Sequence, residues 1–125
     1  MKTKLLTLAT IAVIALNVSG AVAETCEGGR LVTGENGHVY CQSNNNMNWW
    51  SAYTWCEAQG RHLASMYEIC STWDGSTGNG KNCNISLSGW LWSATAKNND
   101  SAFCITATTV SDYGRNSSHV RALCY

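Results

Sequence analysis

Residues 47–65 read MNWWSAYTWCEAQGRHLAS, and this stretch sets the fold class. Asn48 can cap a helix, because its side-chain oxygen accepts from the free backbone amides of a first turn. Trp49, Ala52, Tyr53 and Cys56 then recur at helical spacing, so a helix would carry them on one inward face. Gly60 can take the left-handed conformation that stops such a helix. Trp50 and Trp55 fall off the stripe, at the sides of the core or in solvent. Ser65 and Glu68 follow as a capping box, in which each side chain satisfies the other's backbone amide. That predicts a short second helix ending near Cys70 or Thr72.

Working outward, the downstream chain is β-rich. Residues 74–81 (DGSTGNGK) form a glycine-rich loop. Residues 89–94 read as a strand with Trp90 and Trp92 on one face. Residues 97–100 are a turn, residues 102–110 are β-rich, residues 112–118 are a polar turn, and residues 119–125 are a closing strand. Upstream, Leu31-Val32 and residues 38–41 are strand candidates that would pair as an N-terminal hairpin, an extension spanning residues 24–43. Asn44, Asn45 and Asn46 read as a polar turn. Two early helices followed by antiparallel strands give an α+β domain, with the two short helices packed on small antiparallel sheets.

Residues 1–23 read as a secretory signal peptide. Lys2 and Lys4 supply the charged start, and the apolar run from Leu5 to Leu16 is too short for a stable bilayer anchor. Ala21 and Ala23 are the small residues a signal peptidase needs, so cleavage is expected after Ala23. The alternative is a retained anchor. The mature chain, residues 24–125, would be one domain that is secreted, periplasmic or held at the cell surface, with no membrane insertion of its own. It keeps six basic and eight acidic residues, a net charge of −2, whereas the whole chain is neutral. Neither value suggests a nucleic-acid partner.

All seven cysteines (26, 41, 56, 70, 83, 104 and 124) follow the expected cut. In an exported chain they imply up to three disulfides and one thiol left over. No pair has the short spacing of a zinc site. The odd cysteine is a buried thiol, a reactive group or a bridge to a disulfide-linked partner.

The stretch of residues 47–65, the WLWSAT of residues 90–95 and the HVRALCY of residues 119–125 together resemble the C-type-lectin-like fold. Residues 101–125 are most similar to bacterial exported versions, such as the C-terminal domains of collagen-like adhesins. The resemblance covers about residues 40–125. It implies a Cys56–Cys124 bridge between first helix and last strand, and makes Cys26–Cys41 the hairpin bridge of longer family members. Cys104 matches half of the family's inner bridge, whose other half is missing here. Cys70 and Cys83 are extra and flank the glycine loop, so they are paired, leaving Cys104 free; Cys83–Cys104 is the competing choice. Sugar-binding members hold calcium through a cis-proline loop and a Trp-Asn-Asp triplet. This chain has no proline and no such triplet, and its carboxylates are scattered, so no metal or other cofactor is expected.

Function is then expected to be recognition, with an unknown glycan or protein as ligand and no calcium. Trp50, Trp55, Trp73 and Trp92 are more aromatics than a small core needs, and exposed tryptophan stacks on sugar rings or anchors a partner. Asn79, Asn82 and Asn116, on polar loops, are the accompanying hydrogen-bonding candidates. The plainer reading is that the tryptophans fill the core and the asparagines are solvated. A structural subunit of a surface assembly, such as an adhesin or pilus-like structure, is the alternative function. A thiol enzyme ranks third; its parts would be Cys104 with His119, then His38, His62, Glu57 and Asp112.

Overall fold

A computed structural model describes residues 24–125; the signal-peptide reading of residues 1–23 lies outside the described residues. Both expected helices form. Helix α1 (Trp49–Ala58) starts where the Asn48 side chain accepts from the Ser51 amide at 2.8 Å. Gly60, at φ 74°, ends it. Helix α2 (Met66–Ile69) has the complete Ser65–Glu68 capping box. The strands are β1 (Gly29–Thr33), β2 (Val39–Met47), β3 (Leu91–Ala96), β4 (Ser101–Ile105), β5 (Val110–Gly114) and β6 (Val120–Cys124).

These strands make one six-stranded sheet in the order β1-β2-β6-β3-β4-β5. The expectation of several small antiparallel sheets is corrected in two ways. The sheet is continuous, and it contains one parallel pair, β3 with β6. The closing strand is the reason for both. It sits centrally, antiparallel to β2 on one side and parallel to β3 on the other. The α+β class stands.

Both faces of the central sheet are buried, and the strand alternation shows it. Leu91, Phe103, Ile105 and Leu123 pack with Tyr40, Met66, Ile69 and Trp73. Their neighbours along the strands, Trp92, Ala102, Cys104, Val120, Ala122 and Cys124, pack instead with Trp49, Ala52 and Cys56 of α1. This is why β4 is buried at every position.

Two register shifts mark the sheet, and each is filled by a buried serine. Between Gln42 and Asn46 the β2–β6 register slips. There the Ser43 hydroxyl accepts from the Ala122 amide and donates to the Asn45 carbonyl, at 2.9 and 2.8 Å. Between Trp92 and Ala96 the β3–β4 register slips, and the Ser93 hydroxyl donates to the Phe103 carbonyl at 2.8 Å. Carbonyls freed by the bulges need donors. The Trp49 indole supplies one to Ser93 O at 2.9 Å, and the Trp92 indole one to Met47 O at 2.8 Å. Asn44, Asn45 and Asn46, read as a turn, are therefore strand residues on the irregular half of β2. Residues 112–114, read as a turn, belong to β5, and the β-rich run of residues 102–110 divides into β4, a turn and the start of β5.

Three disulfides join Cys26–Cys41, Cys56–Cys124 and Cys70–Cys83. Cys104 is free and fully buried. Gly29 is required beside the first of these. A Cβ there would lie 2.1 Å from the Gln42 carbonyl oxygen and 2.8 Å from the Cys26 sulfur. Among the described residues no helix is long and apolar enough to cross a membrane.

Candidate functional site

The first turn of α1 meets two loops, and backbone hydrogen bonds lock all three together. The Trp49 amide donates to Arg115 O at 3.0 Å, and the Arg115 amide donates to Asp100 O at 2.8 Å. The turn carrying Asp100 is itself fixed. Asn98 Oδ1 accepts from the amides of Asp100 and Ser101 and from the Ser101 hydroxyl, each at 2.9 Å. On this base the Arg115 guanidinium stacks over the Trp49 ring at 4.5 Å and reaches the Trp50 ring at 5.4 Å. Trp49 is buried and meets Trp50 edge-on at 4.9 Å.

Trp50 and Tyr53 are the exposed part of this cluster, 52% and 42% accessible. Tyr53 corrects the expected inward stripe. Trp49, Ala52 and Cys56 face the sheet, while Tyr53 lies at the flank, its ring 5.4 Å from that of Trp49. A groove of 230 Å³ is lined by Trp50, Asn99, Asp100, Arg115 and Asn116. A second, more apolar hollow of 380 Å³ runs over Trp49, Trp50, Tyr53 and Thr54. Arg115 Nε is buried without a hydrogen-bond partner, and among the described residues no carboxylate lies within ion-pair distance of its guanidinium.

Of the seven residues singled out for ligand binding, the structure brings Trp50 and Asn116 to this groove. Trp55 is half-buried on the same helix and lines a hollow with Trp50, Ser51, Thr54 and Ala58. Trp73 and Trp92 are core residues, 7% and 0% exposed, and offer a ligand no surface. The Trp73 indole donates to Ser76 O at 2.9 Å and its ring packs edge-on to Phe103. Asn79 and Asn82 are exposed on the glycine loop; Asn79 Oδ1 accepts from the Thr109 hydroxyl at 3.0 Å. In that loop Asp74 takes the Ser76 hydroxyl and amide and the Lys81 ammonium, which hold its carboxyl down at about 2. It is engaged within its own loop.

Tyr53 and Arg115 were not legible as site residues. The one available signal for Tyr53 was its place three residues after Trp50, on the same side of a helix. For Arg115 there was none, since its role depends on a contact across 65 residues of sequence.

A second aromatic cluster lies around Tyr125. Its ring stacks on His38 at 3.8 Å and on His62 at 5.2 Å. His62 Nε2 sits 2.9 Å from the Glu68 carboxylate. The Tyr40 hydroxyl donates to Glu68 O at 2.5 Å, and burial pushes its pKa up to about 12. His38 and His62 thus flank one ring. Among the described residues, however, no three His, Cys, Asp or Glu side chains could share a metal ion.

The proposed thiol pair does not meet. Cys104 lies on β4, and His119 directly precedes β6, with β3 between the two strands. Burial drives the Cys104 pKa upward, which disfavours the thiolate that reacts. Native protein should therefore show no thiol reactive to a disulfide reagent, and about one per chain after denaturation, as a colorimetric thiol titration would read. A native thiol that reacts promptly would put Cys104 at an accessible surface.

Comparison with protein-family models, with curated proteins and with solved structures gives no match.

Proposed function

We propose that the chain is an exported, non-catalytic binding module of C-type-lectin-like type. It recognises a glycan or protein ligand without calcium, through the face made by Trp50, Tyr53 and Arg115. The single observation carrying this reading is the exposure of Trp50 and Tyr53 side by side on a rigid helix, beside a polar groove. Exposed indole and phenol rings on a fixed scaffold bring large contact area at little cost in side-chain entropy. Three disulfides suit an oxidising compartment. The buried Cys104 weighs against both a thiol enzyme and a covalently linked assembly.

The test is binding to glycan and protein arrays by the wild-type chain and by the double variant W50A/Y53A. Loss of two interfacial aromatics should weaken binding at least about 30-fold, since each such anchor is worth ~1–2 kcal/mol or more. Equal binding by the double variant would sink the assignment of this face. Thermal melts with calcium and with chelator should coincide. A calcium-dependent rise of several degrees would instead reveal a cation site.

A further inference from the structure

We infer that this face is built for a sugar ring carrying a carboxylate, a uronic acid unit of an acidic glycan, with Arg115 as the anion-binding residue. The inference deepens the recognition reading above and rests on it. It starts from the state of the guanidinium. Arg61, Lys81 and Lys97 each hold a carboxylate, from Glu24, Asp74 and Asp112 respectively. Arg30, Arg115 and Arg121 hold none among the described residues, and of these three only Arg115 has a buried side-chain nitrogen, its Nε, without an acceptor. Yet it is not a loose surface side chain. Its backbone is clamped at both polar atoms, to Asp100 O and the Trp49 amide, and its guanidinium lies over the Trp49 ring and within reach of the perpendicular Trp50 ring. A guanidinium stacked by its face still presents its edge donors, whose fork matches a carboxylate in bidentate fashion.

The rest of the groove fits a single sugar ring. Its 230 Å³ lie below the roughly 300–1,000 Å³ of a drug-sized pocket. Trp50 walls one side, a flat apolar surface for the C–H face of a pyranose. Asn99, Asn116 and the exposed Asp100 also line it, with amide donors and acceptors and one carboxylate to accept from hydroxyls. Asp100 also selects among anions. It shares the groove with Arg115 but forms no ion pair with it. Both a carboxylate and a sulfate ester can meet the guanidinium fork, but the sulfate is the bulkier, tetrahedral group, and a groove of this size shared with Asp100 admits it less easily. A carboxylate in line with the ring can meet Arg115 while the hydroxyls turn toward Asp100.

The experiment titrates the oxidised chain with tri-galacturonic acid, galactotriose and a sulfated galactotriose, reading tryptophan fluorescence at low and high salt. The uronate should bind about tenfold tighter than the neutral trisaccharide, as expected for a hydrogen-bonded charge pair, and that advantage should shrink in high salt. In R115Q the uronate should bind no tighter than the neutral trisaccharide does to the same variant; R115K should restore part of the advantage. R115Q keeps the backbone clamps of Arg115 and loses only the contact of its guanidinium with the two indoles, so it should melt within several degrees of wild type, and the melt is run alongside. Equal binding of neutral and acidic sugars, or a uronate advantage that survives R115Q, overturns the inference and leaves the recognition face standing. Equal or tighter binding of the sulfated sugar overturns the uronate assignment. Binding of none of the three also overturns it, and array binding lost in W50A/Y53A then reports separately on the recognition reading.

Discussion

Replacing Cys56 and Cys124 by alanine should destabilise the chain by about 4 kcal/mol, the largest effect of any bridge here. The bridge closes the longest loop, 68 residues, against 15 for Cys26–Cys41 and 13 for Cys70–Cys83. In the chain-entropy account those short loops are worth about 3 kcal/mol each. Position adds to length. Cys56 lies on the buried face of α1, and Cys124 ends the central strand β6, where it pairs with Cys41 on β2 and bridges to Leu63. Releasing the pair therefore frees helix from sheet at the point where the N-terminal hairpin also attaches. For a domain of about 100 residues, 4 kcal/mol corresponds to a melting point lowered by about 15–30 °C. Calorimetry of C56A/C124A beside C26A/C41A measures it. A larger loss in C26A/C41A would show that strain or local packing, rather than loop length, sets the order.

The parts of this fold that were legible in the sequence are those whose cause is local. Asn48 and Ser65 cap their helices through amides within three residues, and both helices lie where those caps put them. What was not legible depends on residues distant in sequence. Asn44, Asn45 and Asn46 have turn chemistry, but Ser43 seals the bulge through the amide of Ala122, 79 positions away, and the strand runs on. The parallel pairing of β3 with β6 leaves no periodic mark, because both strands are buried on both faces. The tryptophans show the same division. Trp50 and Trp92 are the same residue type, each near other aromatics. Trp50 lies off the inward stripe of its helix, which the spacing shows, whereas only the sheet order and the Met47 carbonyl put Trp92 at the centre of the sheet. Trp73, taken with them as a binding candidate, is committed by Phe103 and the Ser76 carbonyl.

That division makes Trp92 the side chain whose loss should cost most. It is fully buried, sits in register with Cys104 on one side and Ala122 on the other, and packs against the face that receives α1. Truncation to alanine leaves a cavity that the flanking strands cannot close, a cost of about 3–5 kcal/mol. It also removes the indole donor to Met47 O, at the end of the irregular half of β2. Losing that part-buried hydrogen bond adds about 0.5–1.5 kcal/mol. Against a total stability of about 5–15 kcal/mol, Trp92→Ala should leave the chain only marginally folded. Trp92→Phe is the milder change. It keeps part of the ring's apolar contact and loses the indole N–H, and should cost about 1–3 kcal/mol from the smaller cavity and the lost donor together. Trp50→Ala is the control. That ring is half exposed and gives up its share of the Arg115 stack, worth about 0.5–1 kcal/mol, so its melt should stay close to wild type. Urea denaturation of the three variants orders them as Trp92→Ala, Trp92→Phe, Trp50→Ala. A Trp50→Ala loss equal to that of Trp92→Phe would mean that the Arg115 cluster carries the fold as well as the surface, and that its aromatics are there for stability.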